Sequence, residues 1–179
     1  MITNLWYGLM FLAALVCQTA VISAWPEPFR FFPLTLVLGV IILHERSLVL
    51  GVIWISLAGA ILEARGLGSG LAIGSLVAAL AAAGLALSVF AKRSFWALLG
   101  VGVGSALAFT LCRAGVIVFL AAFREQSLMF GRVLEQGLWV FVLAVIGVII
   151  FGAYLRRLLT WSRDKFVSRG QLYDISFPQ

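Results

Sequence analysis

Charge is scarce in this sequence. Asp, Glu, Lys and Arg make up 11% of the 179 residues and apolar residues 63%, against roughly 25% and 45 to 50% in soluble domains. A water-soluble fold of this length could not hide so much apolar surface, so lipid is the expected solvent for most of the chain. Histidine is scarcer still, with His44 alone. His44-Glu45 opens like a zinc-protease motif, but Leu48 stands where the second histidine is needed, so no metal pair forms. Serine-protease chemistry would have to draw on the same histidine. His44 therefore reads as a polar turn residue. The carboxylates Glu27, Glu45, Glu63, Glu125, Glu135, Asp164 and Asp174 fall at the ends of apolar runs or in loops. A Gly-rich phosphate loop is also missing. Nothing here supports an enzyme, and no cofactor or metal is implied. Of two cysteines, Cys17 and Cys112, each lies inside an apolar run, where a thiol behaves as a small hydrophobe, and no disulfide is expected. The first apolar run is too long, and its front too poor in positive charge, for a removable signal peptide. Val16 before Cys17 is a poor match to a lipoprotein cleavage site, so a retained helix is expected.

Acidic residues are outnumbered, seven against thirteen basic ones, for a net charge of +6. The basic residues sit at the ends of apolar runs, most densely at Arg156, Arg157, Arg163, Lys165 and Arg169. That is the pattern of cytoplasmic flanks in a membrane protein. A basic face interleaved with aromatics, as nucleic acid would need, is absent, and no nucleic-acid partner is expected.

What is present is a series of long apolar runs. Leu5 to Ala24 has the roughly twenty residues of a bilayer span and stops at Trp25, Pro26, Glu27 and Pro28. Phe31 to Leu43 is short; extended back to Pro28, with Arg30 snorkelling, it reaches about 24 Å. His44, Glu45 and Arg46 form a tight turn, and Ser47 to Leu62 returns, making a helical hairpin. The stretch 63–70 is the richest in glycine and breaks the helices. Leu71 to Ala91 is a fourth span, ended by Lys92 and Arg93. A fifth run, Phe95 to Phe123, is interrupted only by Arg113 and would be about 43 Å long, so its excess must tilt, break or lie on the surface. Residues 124–137 read as a mixed loop with an amphipathic, interfacial character, Leu138 to Leu155 as the sixth span, and 156–179 as a basic tail. The expectation is an all-α, polytopic transmembrane bundle of about six helices over 1–155 with a basic cytoplasmic tail over 156–179.

Orientation follows from the basic residues. With the N-terminus inside, the inner side holds eight (Arg46, Lys92, Arg93 and the five tail residues) and the outer loops four (Arg30, Arg65, Arg124 and Arg132). Positive charges resist translocation, so both termini are expected in the cytoplasm, with the chain multi-pass in the inner (cytoplasmic) membrane.

Two kinds of residue stand out as candidates for function. Glu63 closes the third helix and Arg113 interrupts the fifth, both toward the outer face. Charge in a bilayer is expensive. The pair could bond to each other or to a partner's charge, or Arg113 could snorkel while Glu63 sits in water. Gly70, Gly74 and Ala78 on the fourth helix, and Gly100, Gly104 and Ala108 on the fifth, repeat every fourth residue and offer smooth faces for close helix approach. Those faces could pack on each other or dock a helix of another protein.

The stretch from Pro33 to about Phe109 resembles the MreD family of bacterial rod-shape proteins. The residues that carry the resemblance are a proline heading a short second helix, a very tight turn, the third-helix ending Ala58-Gly59-Ala60-Ile61-Leu62-Glu63, and Ser69-Gly70-Leu71-Ala72-Ile73-Gly74 after a short loop. Glu63 stands where the family usually has Asp. The resemblance implies a non-enzymatic membrane scaffold in the cell-shape and peptidoglycan-elongation complex, associating with MreC and through it with MreB and RodA. MreD is similar in architecture to the substrate-binding S-components of energy-coupling-factor transporters. That likeness supplies an alternative reading, a small-molecule-binding transporter subunit with Arg113 and the glycine loop lining a pocket for an anionic ligand.

Overall fold

The structure, a computed structural model, describes residues 2–45, 47–65, 70–88, 94–123 and 130–171. These form six helices: α1 (Ile2–Val16), α2 (Leu34–Glu45), α3 (Leu48–Ala64), α4 (Leu71–Ser88), α5 (Phe95–Phe123) and α6 (Phe130–Gln171). The helices alternate in direction. Pro33 before α2, Leu62 near the end of α3, Leu71 at the start of α4, Arg113 in α5 and Gln136 near the start of α6 border one cavity, so these helix ends share one end of the bundle, here called distal. Three helical segments are long and apolar enough to cross a membrane, Leu71–Ser88, Phe95–Ala122 and Gly131–Tyr154, and the other helices are shorter apolar ones.

The shortest helix is the centre of the molecule. Every residue from Leu34 to His44 is buried, and α2 packs on α1, α3, α4, α5 and α6. A helix that is apolar on all sides belongs in a core. Twelve residues rise only about 18 Å, so α2 does not cross the bilayer alone but is sheathed by its neighbours. It does not reach back to Pro28 as the sequence suggested, because Pro33 begins it and residues 29–31 form a separate 3-10 turn. Pro33 costs no bond there, since the first N–H groups of a helix have no partner inside it. His44 belongs to the last turn of α2 and is only 6% exposed, so it is a core residue and not a solvated turn residue.

On the helices around α2 many large side chains point outward. Val49, Ile53 and Leu57 on α3, Ile73, Leu76 and Leu80 on α4, and Leu107 and Leu111 on α5 are exposed. The inward face of α4 is instead small: Gly74, Ser75, Ala78, Ala79 and Ala82 are buried. Helices in lipid gain nothing by hiding apolar surface from one another, so they associate by close packing, which small residues permit. At Gly59 the approach of α3 to α4 is so close that an added Cβ would overlap Ser75 Oγ. Two hydroxyls on these helices bond within their own helix: Ser75 Oγ donates to Leu71 O (2.7 Å) and Thr110 Oγ1 to Ala106 O (2.9 Å).

The ends of the other helices differ from the sequence expectation in two places. α5 is one unbroken helix of 29 residues, so its surplus length is neither broken nor folded onto the surface. α6 begins at Phe130, within the stretch read as a loop, and continues past residue 155 to Gln171. The division drawn at 155 thus falls inside a helix. Nothing interrupts it, because Arg156, Arg157 and their neighbours are good helix formers without proline or glycine until Gly170. Of the other expected features, Arg46, Gly66 to Ser69, Lys92, Arg93 and Arg124 lie outside the described residues.

Candidate functional site at the distal end

The distal end is built from two side-chain caps. The chain of α1 continues as a π turn over Cys17–Val21 and a 3-10 turn over Ile22–Ala24. The π turn carries Gln18, whose Oε1 accepts from the backbone N–H of Thr35 (2.8 Å) and from Thr35 Oγ1 (2.7 Å). Gln18 thereby satisfies the start of buried α2, where a bare N–H would find no water. The second cap is Glu63. Its Oε1 accepts from Gly70 N–H (3.0 Å) and its Oε2 from Ala72 N–H (2.8 Å), so the last turn of α3 closes the first turn of α4. A carboxylate is also favoured there by the positive end of the helix dipole. Gly70 takes φ +80°, the left-handed region that glycine enters without strain, and its Cα packs toward Val116.

Between these caps lies a cavity of about 370 Å³, bordered by Gln18, Ser23, Arg30, Phe31, Phe32, Pro33, Leu62, Leu71, Phe109, Arg113, Gln136 and Val140. Four of the six helices, α3 to α6, contribute, with the turns that link α1 to α2. Arg113 is mostly buried, and its Nε has no hydrogen-bond partner among the described residues. Glu63 attracts Arg113 electrostatically, but the hydrogen bonds of its carboxylate go to α4. Arg30 donates to Glu27 and lies over the Phe31 ring, 5.0 Å from its centroid. A second, more polar cavity of about 580 Å³, between Glu27, Arg30, Arg132, Glu135 and Trp139, shares Arg30, Phe31 and Gln136 with the first.

The sequence candidates divide accordingly. Glu63 and Arg113 come to the same end, Glu63 as the cap of α4 and Arg113 as a cavity wall. Arg113 is deeper than expected, about 15 Å of helix before the end of α5. The glycine faces meet side chains of this same chain. A Cβ at Gly74 would make ordinary contact with Phe109 (3.4 Å), one at Gly70 would press on Val116 (2.9 Å), and one at Gly104 would overlap Leu85 Cδ1. Ala78 is fully buried, and Gly100 and Ala108 are half-buried. Sequence reasoning missed Gln18 and Gln136; the available signal for Gln18 was one amide inside an apolar run. Among the described residues no group of three or more His, Cys, Asp or Glu gathers as a metal site would need. Comparison with protein-family models, curated proteins and solved structures finds no match to this chain. What the molecule shows in its own right is a multi-helical, membrane-embedded protein without obvious catalytic features.

Proposed function

We propose that this chain is a non-enzymatic membrane scaffold of the MreD kind, a subunit of a bacterial cell-shape and wall-elongation complex with MreC-, MreB- and RodA-like partners. The observation that carries the reading is the α3–α4 joint. The residues on which the resemblance rests act together there: Gly59 lets α4 approach, Glu63 caps it, and Gly70 makes the turn. The test is mild-detergent purification of the tagged chain from its native host. Recovery of an MreC-type protein supports the scaffold, and its absence from a purification that preserves other membrane complexes counts against it. His44→Ala should still complement loss of the chain, because among the described residues no group of His, Cys, Asp and Glu that could hold a metal gathers around it. Loss of function at normal protein level would reopen an enzymatic reading.

A second reading is favoured by the cavity beside Arg113: a substrate-binding subunit of a transporter, similar to an S-component. Its partner would be a membrane ATPase complex, recovered in the same purification.

A further inference from the structure

Arg113 occupies a place where a cation is hard to keep. If α5, about 43 Å long, is centred on a hydrocarbon core of about 30 Å, Arg113 lies about 8 Å inside that core. Its Nε is buried without a partner among the described residues, and the carboxylate nearest in effect, Glu63, is engaged by two backbone N–H groups. Arg113 is also reached from two sides. One is the 370 Å³ cavity, within the size range of ligand sites. The other is a narrow cleft along the α5–α6 seam, bordered by Thr110, Arg113, Gln136 and Gly137. At Gly137, which borders this cleft, an added Cβ would meet nothing within 4 Å. Phe31, Phe32 and Phe109 add an apolar wall.

We propose that this cavity binds a phosphate or carboxylate anion on Arg113, with Gln136 as a second polar contact. The anion is a lipid headgroup reached through the α5–α6 seam or a free anion entering from the distal end. The inference rests on the cavity named in the second reading being a ligand site, but not on transport. Recovery of an ATPase partner decides transport, whereas anion binding is decided by titration of the isolated chain.

The test is native mass spectrometry of the full chain, purified in detergent and delipidated, with phosphatidylglycerol against phosphatidylcholine and, separately, glycerol 3-phosphate. Wild type should prefer an anionic probe by roughly tenfold or more, the scale of a charge-assisted hydrogen bond, and Arg113→Gln should abolish the preference. Gln136→Leu, which keeps the charge in place, should weaken it severalfold. Gly137→Leu fills the seam from a position with room for a side chain. Loss of phosphatidylglycerol preference in this variant identifies a lipid headgroup, and retained glycerol 3-phosphate binding identifies a soluble anion. Equal retention of anionic and neutral probes by wild type overturns the proposal whether or not Arg113→Gln folds. So does a preference that persists unchanged in folded Arg113→Gln.

Discussion

At the scale of single residues, the most consequential side chain is Glu63. It stands at the end of an apolar run, and the sequence could place it near the outer face but not assign it a partner, because its acceptors and donors are separated by the turn at Gly70. The structure makes it a cap. Removing a cap costs about 0.5 to 2 kcal/mol, and hydrogen bonds to a charged acceptor sit at the high end. Glu63→Ala should therefore lower the thermal unfolding temperature in detergent, and Glu63→Gln, which keeps one acceptor oxygen, should lower it less. Equal unfolding temperatures for all three proteins would mean that the two backbone hydrogen bonds contribute nothing. Arg113 was legible as an anomaly, a lone charge in a 29-residue run, yet the cavity around it was not. That cavity depends on Gln18 and Gln136, which come from helices at opposite ends of the chain.

At the scale of elements, side-chain size sorts the helix faces where polarity cannot. Ile, Val, Leu and Ala are equally at home facing lipid or protein, so an apolar run fixes the existence of a helix but not its inward side. The small residues do carry that information, as Gly74 and Ala78 show by facing inward. Their spacing does not find every such place: Gly147 belongs to neither every-fourth-residue series, yet it is buried, and a Cβ there would press on Phe32 (2.7 Å). The cause is the short α2, which draws α6 close to it. Gly59→Leu should sharply reduce the amount of inserted, folded protein, because it would drive a side chain into the α3–α4 contact, and Gly104→Leu should reduce it less, because it meets only the movable end of Leu85. Gly84→Leu, with nothing within 4 Å of its Cβ, is the proper control and should be recovered at wild-type level. Immunoblots of membrane fractions and size-exclusion profiles would check both. Recovery of all three alike would show that the helices do not depend on these close approaches. Where the helices insert but a partner is lost, the glycine faces would be docking another protein, the alternative their spacing leaves open.

At the scale of the whole molecule, the number of helices and the membrane setting were readable from run lengths and composition. The burial of α2 and the continuity of α6 were not. α2 looked too short because span length was judged for each run by itself, whereas a helix enclosed by five others need not match the bilayer. α6 looked like a loop, a span and a tail because charges were taken to mark its ends, although a helix can leave the membrane without breaking. On the proposed topology the bundle crosses the membrane with alternating helices, its two ends cytoplasmic and its Arg113 cavity toward the outer side. Reporter fusions test it most directly, with alkaline phosphatase and green fluorescent protein joined after residues 66, 92 and 179. A periplasmic signal at 66 and cytoplasmic signals at 92 and 179 are expected; a cytoplasmic signal at 66, or a periplasmic one at 92 or 179, would overturn this topology.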